Sequence, residues 1–309
     1  MKKSNLSQPF CGIIPPLVTP LLDNDTLDIE GLERLIEHVI DGGVHGVFIL
    51  GTTGEFASLS HKLRKELIKR TCKLVKGRVP VFTGITDSAF NESFDLAEVS
   101  ADYGADAVVL SPPYYYASGQ PELIEYLKRI MVQMPLPLFL YNMPVHTKVV
   151  FAPATVKAAA EIPGIIGMKD SSANFAYLKQ VQYALKDRPD FTFLAGPEEF
   201  MSEFVLTGGN GGVNGGANMF PKLYVDLYNA SVDRDFKKIT LLQQKVMQIS
   251  TSIYNVGHFG SSYLKGLKCA LSVMGVCSDF MAEPFHRFKQ PERDKIEQML
   301  EELNYRDLI

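Results

Sequence analysis

One lysine, Lys169, closes the apolar run Gly164-Ile-Ile-Gly-Met-Lys-Asp-Ser-Ser172 just where the pattern turns polar. Read as a strand, the run buries Ile165 to Met168 and leaves Lys169 at the carboxyl end, where parallel α/β folds bind their ligands. A lysine closing a strand is ordinarily a solvated edge residue, so its meaning depends on its company. Other apolar runs end in Thr52 and Thr53 between two glycines, Tyr114 to Tyr116, Tyr141-Asn-Met-Pro144, Gly196-Pro-Glu-Glu199 and Asn214. A free lysine, with a pKa of about 10.4, is almost wholly charged at neutral pH, and desolvation disfavours that charge. A neutral amine attacks a ketone to form a Schiff base, whose protonated form withdraws electrons from the adjacent carbon. That chemistry makes or breaks a carbon–carbon bond beside a carbonyl without a metal. Tyr141 suits proton transfer, because a phenol both gives and accepts. The glycines around Thr52 and Thr53 free backbone N–H groups to cup a carboxylate, with the hydroxyls as further donors. Taken singly, Gly51-Thr-Thr-Gly54 also reads as a plain turn, and Tyr141 as a core phenol.

These residues meet only if the elements that carry them converge. Cys11 to Pro20 is apolar but broken by prolines, so it is a short irregular strand at best. Asp28 precedes a helical spacing of Ile29, Leu32, Leu35, Ile36, Val39 and Ile40 that Gly42-Gly43 stops. The strand Val47–Leu50 follows, then a helix from Ser60 to Gly77 and the strand Val79–Gly84. Helix and strand then alternate without a break. Helices around Glu92–Tyr103, Glu122–Val132, Pro153–Ala160, Phe175–Leu185 and Glu199–Leu206 lead to Ala107–Leu110, Leu136–Tyr141, the Lys169 strand, Phe191–Ala195 and the glycine-rich Gly208–Gly216. Eight strands alternating with helices predict an α/β fold, a (β/α)8 TIM barrel over residues 1–225. Beyond about Phe220 only helices are expected (Lys222–Ala230, Phe236–Tyr254, Tyr263–Val273 and Pro291–Leu303). Residues 226–309 thus read as a C-terminal helical region packed on the barrel.

The bulk properties narrow the function. The chain has 309 residues, a net charge of -4 and no basic stripe, so nucleic acid is not an expected partner. No apolar run approaches a membrane span, and Met1 to Gln8 lacks the apolar core of a signal peptide. Cys11, Cys72, Cys269 and Cys277 lie far apart, which suits free thiols in a reducing cytoplasm. The six histidines have no paired spacing for a metal, and no Gly-x-Ser-x-Gly elbow is present. The Gly208–Gly216 cluster comes too late in the chain for a dinucleotide fingerprint and lacks the following acidic residue. No cofactor and no metal are expected.

Five segments together resemble the dihydrodipicolinate synthase and N-acetylneuraminate lyase family of Schiff-base aldolases. They are Gly12 to Pro20, Gly51-Thr-Thr-Gly-Glu55, Pro113-Tyr-Tyr115, Tyr141-Asn-Met-Pro144 and Gly167-Met-Lys-Asp170, in the family's order and spacing. The resemblance implies a barrel with a helical C-terminal region, assembled as a homotetramer of two tight dimers. It implies an imine between Lys169 and pyruvate, with Tyr141 shuttling protons, Thr53 relaying them and Tyr115 completing the relay from a neighbouring subunit. Thr52 and Thr53 would hold the keto acid's carboxylate, and Gly196 and Val213 would line the pocket. The synthases place an arginine near the Tyr-Asn-x-Pro segment to grip a second carboxylate, whereas this chain has Val145-His146. Glu198 and Glu199 fall where the sugar-acid lyases carry hydroxyl-binding acids, with Asn214 as helper. The expected activity is that of a lyase cleaving or condensing pyruvate and an aldehyde, with a 2-keto-3-deoxy sugar acid favoured. Condensation with aspartate semialdehyde, dehydration of a sugar acid through the same imine, and keto-acid binding without turnover are the alternatives.

Overall fold

The computed structural model describes residues 6–308, so all but three residues of the Met1–Gln8 segment lie outside the described residues. The barrel begins with β1 (Gly12–Ile13), α1 (Ile29–Asp41) and β2 (Val47–Ile49). The Asp28 carboxylate caps α1 by accepting from Gly31 N at 2.8 Å, and the helix turns Leu32, Leu35, Ile36 and Val39 inward. Ser60 caps α2 (His61–Val75) through Leu63 N at 3.1 Å. There follow β3 (Val81–Gly84), α3 (Phe90–Tyr103), β4 (Ala107–Leu110), α4 (Gln120–Met131) and β5 (Leu138–Asn142). A short α5 (Pro144–Thr147) directly after β5 was not expected from the sequence, because one helical turn leaves no periodicity to read. Then come α6 (Pro153–Ala160), β6 (Ile165–Asp170), α7 (Phe175–Ala184), β7 (Thr192–Ala195), α8 (Met201–Leu206) and β8 (Gly211–Gly212).

All eight strands are parallel, each beside its sequence neighbour from β2 to β8, with β1 on the far side of β8. The ring closes between Pro16 and Phe48, where Leu17 N donates to Phe48 O at 2.8 Å and Phe48 N to Pro15 O at 3.0 Å. Prolines donate no N–H, so this seam is sparse and β1 is as short as its sequence suggests. The fold is therefore a (β/α)8 barrel. Alternate strand residues fill the interior, among them Phe48, Phe82, Val109, Phe139, Leu194 and Val213. Phe10 plugs the amino end, its ring 5.3 Å from Phe82 and Phe82 another 5.3 Å from Phe139, both edge to face. Gly167 is needed because a Cβ there would lie 2.3 Å from the Phe139 ring.

Two details of the Lys169 strand differ from expectation. β6 continues one residue past Lys169 to Asp170, and Ile166 is only half-buried. The register against β5 shifts between Leu138 and Phe139, leaving Ile166 as the unmatched residue. Beyond β8, α9 (Pro221–Val232) contains the 225/226 position and packs on α1, α8 and β1. The chain continues through α10 (Phe236–Ser252), α11 (Ser262–Val273) and α12 (Gln290–Glu302). Among the described residues no helix is long and apolar enough to cross a membrane.

Candidate active site

A cavity of about 860 Å³ opens at the carboxyl ends of the strands, and Lys169 stands in its wall. Of the expected site residues, Thr52, Thr53, Tyr141, His146, Gly196, Glu198 and Val213 line it too. Tyr141 and Lys169 are register partners on adjacent strands, so both side chains enter on the same level. Lys169 is 6% exposed. Its Nζ lies 4.3 Å from the centre of the Tyr141 ring and 5.1 Å from that of Phe48. Among the described residues it has no hydrogen bond or salt bridge, so its amine is not sequestered by a carboxylate. The following residue, Asp170, faces the other way and locks the strand ends. Its carboxylate accepts from Asn142 Nδ2 at 2.6 Å and Ser172 Oγ at 2.8 Å, while Asn142 Oδ1 accepts from Phe151 N at 3.1 Å. Burial raises the Asp170 pKa against the pull of these donors.

The loop after β2 holds the two threonines. Leu50 (φ 58°) and Glu55 (φ 57°) both take the left-handed conformation, which costs a non-glycine residue about 1–2 kcal/mol each. Gly54 N and Glu55 N close the turn on Gly51 O and Thr52 O, whereas the N–H groups of Thr52 and Thr53 have no partner among the described residues. The threonine hydroxyls do not divide as expected. The one beside Tyr141 belongs to Thr52, with Oγ1 3.3 Å from the phenol oxygen. Thr53 Oγ1 instead meets the hydroxyl of Tyr263, on α11, at 3.1 Å. Strict alternation along an extended segment could not foretell this division, since the pair sits in a turn.

Tyr115 is 70% exposed, stacks edge to face on Tyr116 at 5.0 Å and does not line the cavity of its own chain. Tyr114 does line it, packing edge to face on Phe56 at 6.3 Å. Asn214 is fully buried and outside the cavity wall, where its Nδ2 donates to Gly196 O at 3.0 Å. It supports the Gly196 loop, and its buried Oδ1 has no hydrogen-bond partner among the described residues.

Glu198 differs from the expected open hydroxyl binder. Its Oε1 accepts from Tyr224 at 2.5 Å and from Tyr254 at 2.9 Å, and its Oε2 from Gly216 N at 3.0 Å. Burial lifts its pKa to about 7 despite these donors. Its neighbour Glu199 is exposed on the cavity wall and is the carboxylate open to a ligand. Desolvation also raises the phenols of Tyr224, Tyr254 and Tyr263. Tyr224 comes from α9, and Tyr254 and Tyr263 from the helical tail; all three were invisible as site residues, because aromatic residues at helical spacing read as core. The late glycines explain themselves in this setting. A Cβ on Gly215 would lie 1.8 Å from the Tyr263 hydroxyl, and one on Gly216 would lie 1.9 Å from that of Tyr224.

A raised carboxyl pKa means that the folded chain holds a proton which the unfolded chain releases near 4.5. Stability from this group is therefore fully present below about pH 4.5 and is lost as pH rises towards 7. Thermal melts between pH 4.5 and 8 are expected to fall more steeply with pH in the wild type than in Glu198→Gln. A shift of this size corresponds to about 3 kcal/mol. Equal slopes in the two proteins would place the Glu198 proton elsewhere.

Comparison with known proteins agrees with this architecture. The chain matches the Dihydrodipicolinate synthetase family over residues 9–303. It is 30% identical over 295 residues to the 4-hydroxy-tetrahydrodipicolinate synthase of Methanocaldococcus jannaschii, covering 95% of this chain and 99% of that one. A dihydrodipicolinate synthase structure from Bacteroides thetaiotaomicron superposes with TM-score 0.94 at 63% identity, covering 96% of this chain and 100% of that one. YagE of Escherichia coli K12, solved in complex with pyruvate, superposes with TM-score 0.90 at 30% identity, covering 96% and 99% of the two chains. The barrel, the lysine at the end of its sixth strand and the match along nearly the whole chain make this protein a member of the dihydrodipicolinate synthetase family, and a lyase of the class I aldolase type.

Proposed function

We propose that the protein joins or separates pyruvate and a polyhydroxylated aldehyde, through a Schiff base on Lys169, so that its substrate is a 2-keto-3-deoxy sugar acid. The Lys169 amine adds to the keto carbon of pyruvate, and loss of water gives the protonated imine. Loss of a proton from the methyl carbon then yields an enamine, which attacks the aldehyde carbon; cleavage runs the same steps backwards. Thr52 and Thr53 supply backbone and hydroxyl donors for the pyruvate carboxylate, and Gly196 and Val213 shape the wall beside it. Tyr141, bonded to Thr52, carries protons to and from the carbinolamine and the aldehyde oxygen. Tyr115 enters this site only from a second subunit, as in a homotetramer.

One observation supports the aldehyde class. Among the described residues the cavity wall carries no arginine and no lysine besides Lys169. With Lys169 consumed in the imine, a second carboxylate such as that of aspartate semialdehyde would find no fixed cation. His146, at the rim, does not replace one, because loss of water lowers its pKa and favours the neutral ring. Glu199, Ser171 and His146 offer hydrogen bonds suited to hydroxyls. The relative YagE is also named as a candidate 2-dehydro-3-deoxy-D-gluconate aldolase. The second reading, condensation with aspartate semialdehyde, is favoured by the naming of the Methanocaldococcus and Bacteroides proteins.

The test begins with pyruvate and borohydride, which should fix a mass adduct on the peptide containing Lys169. An aldehyde screen on the same protein should then favour hydroxylated aldehydes over aspartate semialdehyde. In His146→Arg the added guanidinium should shift that preference towards the semialdehyde by about tenfold, the worth of one charge-assisted bond. An unchanged preference would remove the argument from the missing cation.

A further inference from the structure

A fully buried charge lies outside the cavity wall. Lys268, on α11, is 0% exposed and pairs with Glu55 Oε1 at 2.7 Å. Its ammonium also donates to Thr19 O at 2.9 Å and to Phe280 O, so every proton is used. Glu55 Oε2 in turn accepts from Ala282 N at 2.8 Å. Such a pair gains little net stability over apolar packing, because both ions give up water. Its position is more telling than its energy. Glu55 ends the loop that presents Thr52 and Thr53, and it does so in the left-handed conformation. Thr19 reaches the same loop a second way, its Oγ1 donating to Gly54 O at 2.7 Å.

The second contact comes from the same helix. Tyr263, five residues before Lys268, bonds Thr53 Oγ1 at 3.1 Å. Helix α11 therefore grips the loop at both its apex and its end. Its Gly266 lies so close to the preceding tail segment that a Cβ would meet Ile253 O at 2.3 Å, which fixes the helix against its support. We propose that Glu55, Lys268 and Tyr263 are positioning residues for the keto-acid carboxylate, holding the N–H groups of Thr52 and Thr53, which have no partner among the described residues, in their binding geometry. They act through the loop and touch no reacting atom. The helical tail is thereby part of the pyruvate site, although the carboxylate cradle itself lies on the barrel.

This inference rests on the Schiff-base reading, so the experiment separates the two. Borohydride trapping is measured against pyruvate concentration in the full-length wild type, Glu55→Gln and Tyr263→Phe, giving a half-saturating concentration and a maximal rate for each. Tyr263→Phe removes one hydroxyl and keeps the ring on Tyr254, so it remains informative if Glu55→Gln fails to fold. The expected result is a half-saturating pyruvate concentration raised about fivefold in Tyr263→Phe and about tenfold in Glu55→Gln, the scale of one neutral and one charge-assisted hydrogen bond. Maximal trapping rates should stay within about twofold, since only binding geometry is altered. A purely structural role would lower the melting temperature and leave the half-saturating concentration unmoved, and that result overturns the proposal. Absence of any adduct in the wild type overturns the Schiff-base reading instead, and the inference with it.

Discussion

Replacing Lys169 by alanine is expected to abolish the pyruvate adduct and to lower kcat/KM by at least about 10⁴-fold, the usual consequence of removing a covalent nucleophile. No neighbouring amine can take over, because Lys169 is the sole lysine among the described residues lining the cavity. The other deeply buried lysine, Lys268, is held by Glu55 and two carbonyls and does not open on the cavity. The fold should survive the change. Lys169 Nζ lies against the rings of Tyr141 and Phe48 and has no salt bridge among the described residues, so its removal orphans no carboxylate. The melting temperature should be unchanged or slightly raised, since a buried amine without a counter-ion is a cost to folding. Steady-state kinetics, trapping and a melt on the same preparation check all three. An adduct on another lysine in the variant would sink the assignment of Lys169.

Loss of the Tyr141 hydroxyl should have the next largest effect. Tyr141→Phe keeps the ring under Lys169 and deletes only the oxygen bonded to Thr52 at 3.3 Å. Turnover should fall by about 10²- to 10³-fold, within the range for a lost general acid–base group. The adduct should still form, but slowly, because the amine is intact while the carbinolamine loses its proton carrier. That pattern, slow trapping with nearly normal pyruvate saturation, is opposite to the one expected for Tyr263→Phe. Full-rate turnover in Tyr141→Phe would move the proton transfer to water or to another group.

The division between what the sequence revealed and what it hid follows from distance along the chain. Lys169 was legible because an apolar run ends on it, and run endings in an alternating chain map onto one mouth of the barrel. Strand β4 and helix α6 fall at their expected bounds, since periodicity and flanking turn residues define them locally. Tyr263 was not legible, because its partner Thr53 is separated by 210 positions and no spacing rule connects them. The same holds for Glu198, whose position suggested an open hydroxyl binder. Only the fold shows that Tyr224 and Tyr254, from 26 and 56 residues away, already occupy its Oε1, and Gly216 N its Oε2. That Thr52, and not Thr53, meets the Tyr141 hydroxyl was hidden for a different reason. Two adjacent residues of one type in a turn differ only in backbone angles, which composition does not encode.

The closeness of Gly215 and Gly216 to the phenols of Tyr263 and Tyr224 bears on how this protein can diverge. A side chain larger than hydrogen at Gly215 needs the Tyr263 oxygen to withdraw, and one at Gly216 needs the same of Tyr224. Each glycine is thus tied to a tyrosine elsewhere in the chain, and neither glycine is free to grow while its tyrosine stays in place. A single-step mutational path that enlarges either glycine first passes through a clash with its phenol. Recombination between relatives at the end of the barrel would separate Gly215 from Tyr263, so that a larger residue arriving at 215 would meet that phenol, whereas Gly216 and Tyr224 would travel together. Lineages that exchange barrels and tails should therefore be rare, and the two parts should drift together as one hereditary block.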